Sequence, residues 1–264
     1  MRAFVTFVAL FSFLFAQGAD AGPWQARTAG TLSQTADAAT AATPPNVMVG
    51  DLVPLVTMVN ANGAARTLAT PGGWNLCGDV LSGNAAVNGK VFCRIWQMGD
   101  VIPALDWSGS GNQVFMQALD FFGPTAINLA TIVDAGPVDG QINNSSWPSS
   151  ALTIPTDGDL IIEIGAKPQP ASPTDMGAIG CPSDVNGANP GNRSNASAFE
   201  LNEMVCYVIQ TTKANIAGNN FTAGSGNYPA SNSGRGIIAF KQQDAPTGAV
   251  NPIDGPVMPM RVVR

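Results

Sequence analysis

Residues 49–60 read VGDLVPLVTMVN, an apolar run opened by Gly50-Asp51 and broken only by Pro54 and Thr57 before Asn60. A run of this length and apolarity predicts a central strand of a β-sheet. Pro54 lacks the N–H that a ladder position donates, so a bulge is expected there. The same signal returns further along the chain. Pro45–Val56 reads PNVMVGDLVPLV and Pro155–Ile164 reads PTDGDLIIEI: a proline, then Gly-Asp-Leu, then an apolar strand. This echo predicts two topologically similar strand starts in a two-sheet sandwich. It is not a phosphate-binding loop, which needs more glycines and a lysine.

Working outward, the chain reads as β almost throughout. Residues 25–36, QARTAGTLSQTA, predict a polar outer strand. In VNGKVFCRIWQMGD (87–100), Asn88-Gly89 is a strong hairpin-turn signal. The strand after it alternates, with Val91, Cys93, Ile95 and Gln97 on one face and Phe92, Arg94 and Trp96 on the other. QVFMQALDFFG (113–123) predicts a strand on the alternation of Val114, Met116 and Ala118. Leu152–Lys167 predicts a second central strand, and strands are also expected over Phe199–Thr211 and Arg235–Gln242. Residues 168–197 carry loop chemistry over a length that is uncommon for a plain connection. In PGGWNLC (71–77) the glycines serve backbone geometry; the turn is expected to drop Trp74 into a core between two sheets. The fold class expected is all-β: a single-domain, two-sheet β-sandwich of jelly-roll type over residues 25–242. An apolar N-terminal arm (1–24) precedes it, and an extended Pro-rich C-terminal tail (243–264) follows.

Composition narrows the function classes. Among 264 residues only 11% are charged, against roughly 25% in a typical soluble domain. The net charge is −6 and the 12 Lys and Arg are scattered, so no basic face is available for nucleic acid. The sequence contains no histidine, which excludes Ser-His-Asp and Cys-His catalysis and any His-ligated metal. No cofactor is expected.

The leader MRAFVTFVALFSFLFAQGADA has the build of a secretory signal: Arg2, an apolar stretch from Ala3 to Phe15, and Ala19-Asp20-Ala21 as a cleavage site. It is too short for a comfortable membrane span. The alternative is a retained assembly arm buried in a partner subunit.

The four cysteines pair most simply as Cys77–Cys93 and Cys181–Cys206, one of three connectivities. The spacing lacks the close Cys-x-x-Cys pairs of a zinc site; in a reducing compartment all four would be free thiols. Carboxylates available for acid–base work on a glycan are Asp100, Asp106, Asp120, Asp157, Asp159, Glu163 and Glu203. No pair of them sits at a motif spacing, so an enzyme is not expected. Asp184, Asn186 and Asn189 around Gly187 offer oxygens to calcium, but Asx-turn chemistry explains them equally. Trp74 and Trp96 are expected in the core. Trp107 and Trp147 border Ser/Gly/Asn turns and are the expected ligand contacts.

Taken in order, Gly50-Asp51-Leu52, Pro71 to Trp74, Trp107 to Gly109 and Gly236 to Phe240 resemble the motifs of a family of single-domain β-sandwich proteins of tailed bacteriophages. These are tail, fibre or head-decoration structural proteins. The resemblance covers roughly residues 25–242 and implies a scaffold rather than a functional site. It implies a non-enzymatic virion protein, homo-oligomeric, whose contacts are other capsid or tail subunits and a host-surface glycan. The leader and the cysteines depart from the family pattern and leave a secreted carbohydrate-binding or adhesin-like module as the alternative.

Overall fold

The computed structural model describes residues 24–36, 38–60, 66–79, 87–109, 113–123, 127–142, 151–153, 157–168, 186–189, 201–209, 215–216 and 233–241. The expectations for the leader before Trp24, for the tail from residue 243 and for most of the 168–197 loop fall outside these residues. Within them every element is a β-strand and every pairing is antiparallel. No helix among them is long and apolar enough to cross a membrane.

The first half of the chain forms β1 (Gln25–Ala26), β2 (Ser33–Ala36), β3 (Ala38–Ala39), β4 (Leu52–Asn60), β5 (Asn75–Asp79), β6 (Val87–Ile95), β7 (Leu105–Asp106), β8 (Gln113–Ala118) and β9 (Phe121–Phe122). The second half forms β10 (Val133–Ile142), β11 (Leu152–Thr153), β12 (Leu160–Pro168), β13 (Asn186–Asn189), β14 (Leu201–Ile209), β15 (Asn215–Ile216) and β16 (Ser233–Phe240). Among the described residues, no strand of one half pairs with a strand of the other.

The two halves follow one pairing scheme. β4 lies between β6 and β8, β5 flanks β6, and β2 flanks β8; likewise β12 lies between β14 and β16, β13 flanks β14, and β10 flanks β16. The small ladders match too, β3 with β7 and β11 with β15. Register agrees at the strand starts: Leu52 stands opposite Ile95 and Phe121, and Leu160 opposite Ile209 and Phe240. The Gly-Asp-Leu echo therefore marks equivalent places. Gly50 and Gly158 both take positive φ (98° and 81°), the left-handed region that favours glycine. Asp51 and Asp159 are both buried, and the Leu that follows each begins a nine-residue central strand.

One apolar cluster joins the halves. From the first sheet it takes Leu52, Val56, Met58, Val91 and Phe115; from the second, Leu160, Ile162, Ile164, Ala166, Val205, Ile238 and Phe240. Gly78 of β5 shows how close the approach is: a Cβ there would lie 3.2 Å from Ile238 and Pro137 of the other half. The alternation within β4 sends Val53, Leu55 and Val59 to the opposite face, where they meet Trp74, Trp96, Trp107, Ile102 and Leu105. That second covering layer is why all nine residues of β4 are buried, and why its sequence is apolar rather than alternating.

Four expectations are corrected. Asn88-Gly89 is not a turn: both residues lie inside β6, opposite Val59 and Met58. Pairing with the fully buried β4 outweighs the local turn preference, and Asn88 Oδ1 accepts a 2.6 Å bond from the Arg66 N–H. Pro54 makes no bulge, because the β4–β6 register runs unbroken through it. Its carbonyl accepts from Leu119 N–H (2.8 Å) on the β8 side. Its own nitrogen faces the same way, into the gap between β8 and β9, so the missing N–H costs the β4–β6 ladder nothing. Leu152–Lys167 is not one strand but two, β11 and β12, with a turn at Asp157-Gly158 between. Trp74 is buried as expected, but on the outer face of the first sheet, not between the two large sheets.

Candidate functional site

The segments that precede β4 and follow β9 bring a groove to one end of the first sheet. Gln25, Ala26, Arg27, Thr28, Asn46, Val47, Met48 and Phe122 line it. Arg27 organises its floor. The guanidinium lies 4.0 Å from the centre of the Phe122 ring, and Nε donates to Asp51 Oδ2 at 2.9 Å. The Met48 N–H donates to the same oxygen at 2.8 Å. Asp51 Oδ2 thus accepts from two donors, which fixes the turn that launches β4.

Beneath this pair lies Asp120, between β8 and β9 and only 1% exposed. Neither of its carboxyl oxygens meets a donor among the described residues. Burial, followed by repulsion from Asp51 and the hydrogen bond to it, pushes the Asp120 carboxyl up to about 7; the charge of Arg27 pulls the other way. Two neighbouring carboxyls disfavour ionisation of both at once. The acid is interior, so the groove as it stands offers a substrate Arg27 and backbone edges rather than an exposed acid–base pair.

The other sequence candidates are dispersed. Arg94 grips Asp100 with two bonds of 2.5 Å and also bonds the Gly73 carbonyl. The hydrogen bond from Arg94 holds the Asp100 carboxyl below its ordinary range. Asp106 and Asp157 are exposed in separate places. Asp159 and Glu163 are fully buried. Glu163 faces the charge of Arg235, whose guanidinium is lowered by burial and partly restored by that carboxylate. Glu203 lies in β14 opposite Ala166. No three metal-ligating side chains converge among the described residues. Asn186, Gly187 and Asn189 belong to β13, while Asp184 lies outside the described residues.

Trp107 is corrected as an exposed ligand contact. It is 2% exposed, and its Nε1–H donates to Thr57 Oγ1 at 3.0 Å within the outer-face cluster. The Ser108-Gly109 turn beside it is exposed, but the indole folds back under it. Trp147 lies outside the described residues. Cys77 and Cys93 form the expected disulfide, linking β5 to β6. Cys206 is also disulfide-bonded; its expected partner, Cys181, lies outside the described residues.

Sequence reasoning missed the Arg27–Asp51–Asp120 cluster. Asp120 was one acid among seven, and only the register Leu52–Phe121 brings it beside Asp51. It also missed an apolar apex. Gly50 N–H donates to the Trp96 carbonyl (2.9 Å) and Trp96 N–H to the Asp51 carbonyl (2.8 Å), so the turns before β4 and after β6 lie side by side. They expose Met48, Val49, Met98 and Val101, with Met98 91% and Val101 72% accessible.

The site and the fold define an all-β protein of antiparallel sheets with a covered acid pair and an exposed apolar end. Comparison with known proteins finds no matching family, no matching curated protein and no matching solved structure.

Proposed function

We propose that the protein is a non-enzymatic structural component of a bacteriophage virion, a head-decoration, head-spike or tail-fibre subunit that works through contact. In this reading its two large sheets form a β-sandwich around the shared core. Successive strands stay in one sheet rather than alternating between two, which supports a duplicated sandwich over a jelly roll. The observation that carries the reading is the apex of Met48, Val49, Met98 and Val101. Four apolar side chains on two adjoining turns form the kind of patch that a contact surface presents. Repeated copies on a particle would convert weak contacts of this kind into firm attachment. Other virion subunits, further copies of this chain and a host-surface glycan are the partners this role implies.

The second reading, a secreted carbohydrate-binding or adhesin-like module, draws support from the Cys77–Cys93 disulfide, since such bonds persist in exported proteins. Mass spectrometry of purified phage particles released from the source bacterium separates the two. The virion reading expects the chain in the particles at a fixed ratio to the capsid protein. Its absence there, with the chain free in the cleared medium and starting near Gly22, would overturn that reading in favour of the exported module.

A further inference from the structure

The most unusual chemistry in the described residues is the acid pair under the groove. Asp51 already accepts hydrogen bonds from Arg27 Nε and the Met48 N–H. Asp120 accepts none, although it is almost wholly shut off from solvent. An ionised carboxylate in that position would be buried, lack a donor and face a second carboxylate, which is costly on each count. The repeat in the fold gives an internal reference. In the second half, Leu160 stands opposite Phe240 as Leu52 does opposite Phe121, and the residue before Phe240 is Ala239. The scheme of strands therefore does not need an acid there; the first half alone carries one, at the point where its last strand is broken into β8 and β9.

We propose that Asp120 is held as the neutral acid, donating its own proton to Asp51, and that loss of this proton is a switch that loosens the N-terminal edge of the first sheet. The charged groups facing Asp120 are Asp51, from the turn before β4, and Arg27, from the segment after β1. A divalent cation is a poorer occupant than a proton, because the Arg27 guanidinium already sits on Asp51. When the proton leaves, two carboxylates confront one guanidinium in a dry site. The weakest structure beside them is β1, which is held to β9 by two register positions, Gln25–Phe122 and Ala26–Phe121. The backbone bond from Arg27 N–H to the Asp120 carbonyl (2.8 Å) ties that edge directly to the acid. Residues 25–28 and Phe122 also line the groove, so the switch would reshape the groove.

The sign follows from linkage. A carboxyl raised from 3.8 to about 7 on folding makes the folded state bind the extra proton. Its stabilising effect is full below the unfolded value and is lost as pH rises toward the folded one. The test uses the full-length chain and two readouts. Infrared difference spectra should show a protonated-carboxyl C=O band at pH 5.5 that disappears by pH 8.5, and Asp120→Asn should remove it. Hydrogen exchange of residues 24–28 and 119–123 should speed up at least tenfold between those pH values, after correction for intrinsic rates, in the wild type but not in Asp120→Asn. A band that survives in Asp120→Asn, or edge exchange that is the same function of pH in both proteins, would overturn the proposal. So would protection restored at pH 8.5 by millimolar calcium in the wild type alone, which would make the pair a cation site. Should Asp120→Asn fail to fold, the wild-type infrared titration decides alone: no acid band at pH 5.5 refutes the switch.

Discussion

The half from Gln25 to Phe122 and the half from Val133 to Phe240 follow the same strand scheme but differ in where they depart from it. Their inward faces agree. Leu52, Val56 and Met58 of β4 match Leu160, Ile164 and Ala166 of β12, each the same distance along its strand and all in one core. Their outward faces do not agree. The first sheet is capped by three tryptophans, whereas the outer face of the second gathers Leu152, Ile161, Ile237 and Ala239 and buries Glu163 facing Arg235. The edges differ as well: β16 runs unbroken where the first half is split into β8 and β9. The contrast teaches that a shared core constrains both halves to apolar residues at matching positions. A face covered by a half's own loops is constrained only by those loops, and the buried Asp120 falls where the first half's scheme is interrupted.

The largest test of this equivalence is truncation of the matched leucines. Leu52→Ala and Leu160→Ala should each lose about 2–5 kcal/mol in denaturant unfolding, and by similar amounts, since both side chains are fully buried in the common core. A large loss at one and a negligible loss at the other would break the comparison. Replacing both Cys77 and Cys93 by serine removes a staple across a separation of 16 residues and should cost ~3 kcal/mol. Cys93 lies in the inner cluster, so unfolding of both halves should move together. Trp107→Phe puts a smaller ring into a buried site and leaves the Thr57 hydroxyl without its donor, for a loss of about 1–3 kcal/mol. It should leave glycan binding, where present, unchanged. Lys90→Ala removes a partly exposed ion pair with Asp79 (2.6 Å) and should cost below about 1 kcal/mol, least at high salt.

Much of the fold was legible because its signals were strong and local. The alternation of Val91, Cys93 and Ile95 against Phe92 and Trp96 is found on the two faces of β6 as read, and Val114, Met116 and Ala118 share one face of β8. The Gly-Asp-Leu echo pointed to matching strand starts, since a left-handed glycine, a buried Asp and an inward Leu are needed at each. The reading failed where long-range packing overrode local preference. Asn88-Gly89 carries the dipeptide of a hairpin turn yet lies in a strand buried on both sides. Trp107 borders a polar turn yet points into the layer beneath it. The acid pair was illegible for a simpler reason: Asp51 and Asp120 are far apart in sequence, and only the pairing of β4 with β9 makes them neighbours.

The central claim is that two like-wound halves share one core and stand or fall together. Native-state hydrogen exchange of the amides of β4 and β12 tests it most directly, followed through low concentrations of denaturant. The account predicts that the slowest amides of both strands converge on one opening free energy with one denaturant dependence, that of global unfolding. Separate values, with β12 exchanging through an opening that leaves β4 protected, would contradict it.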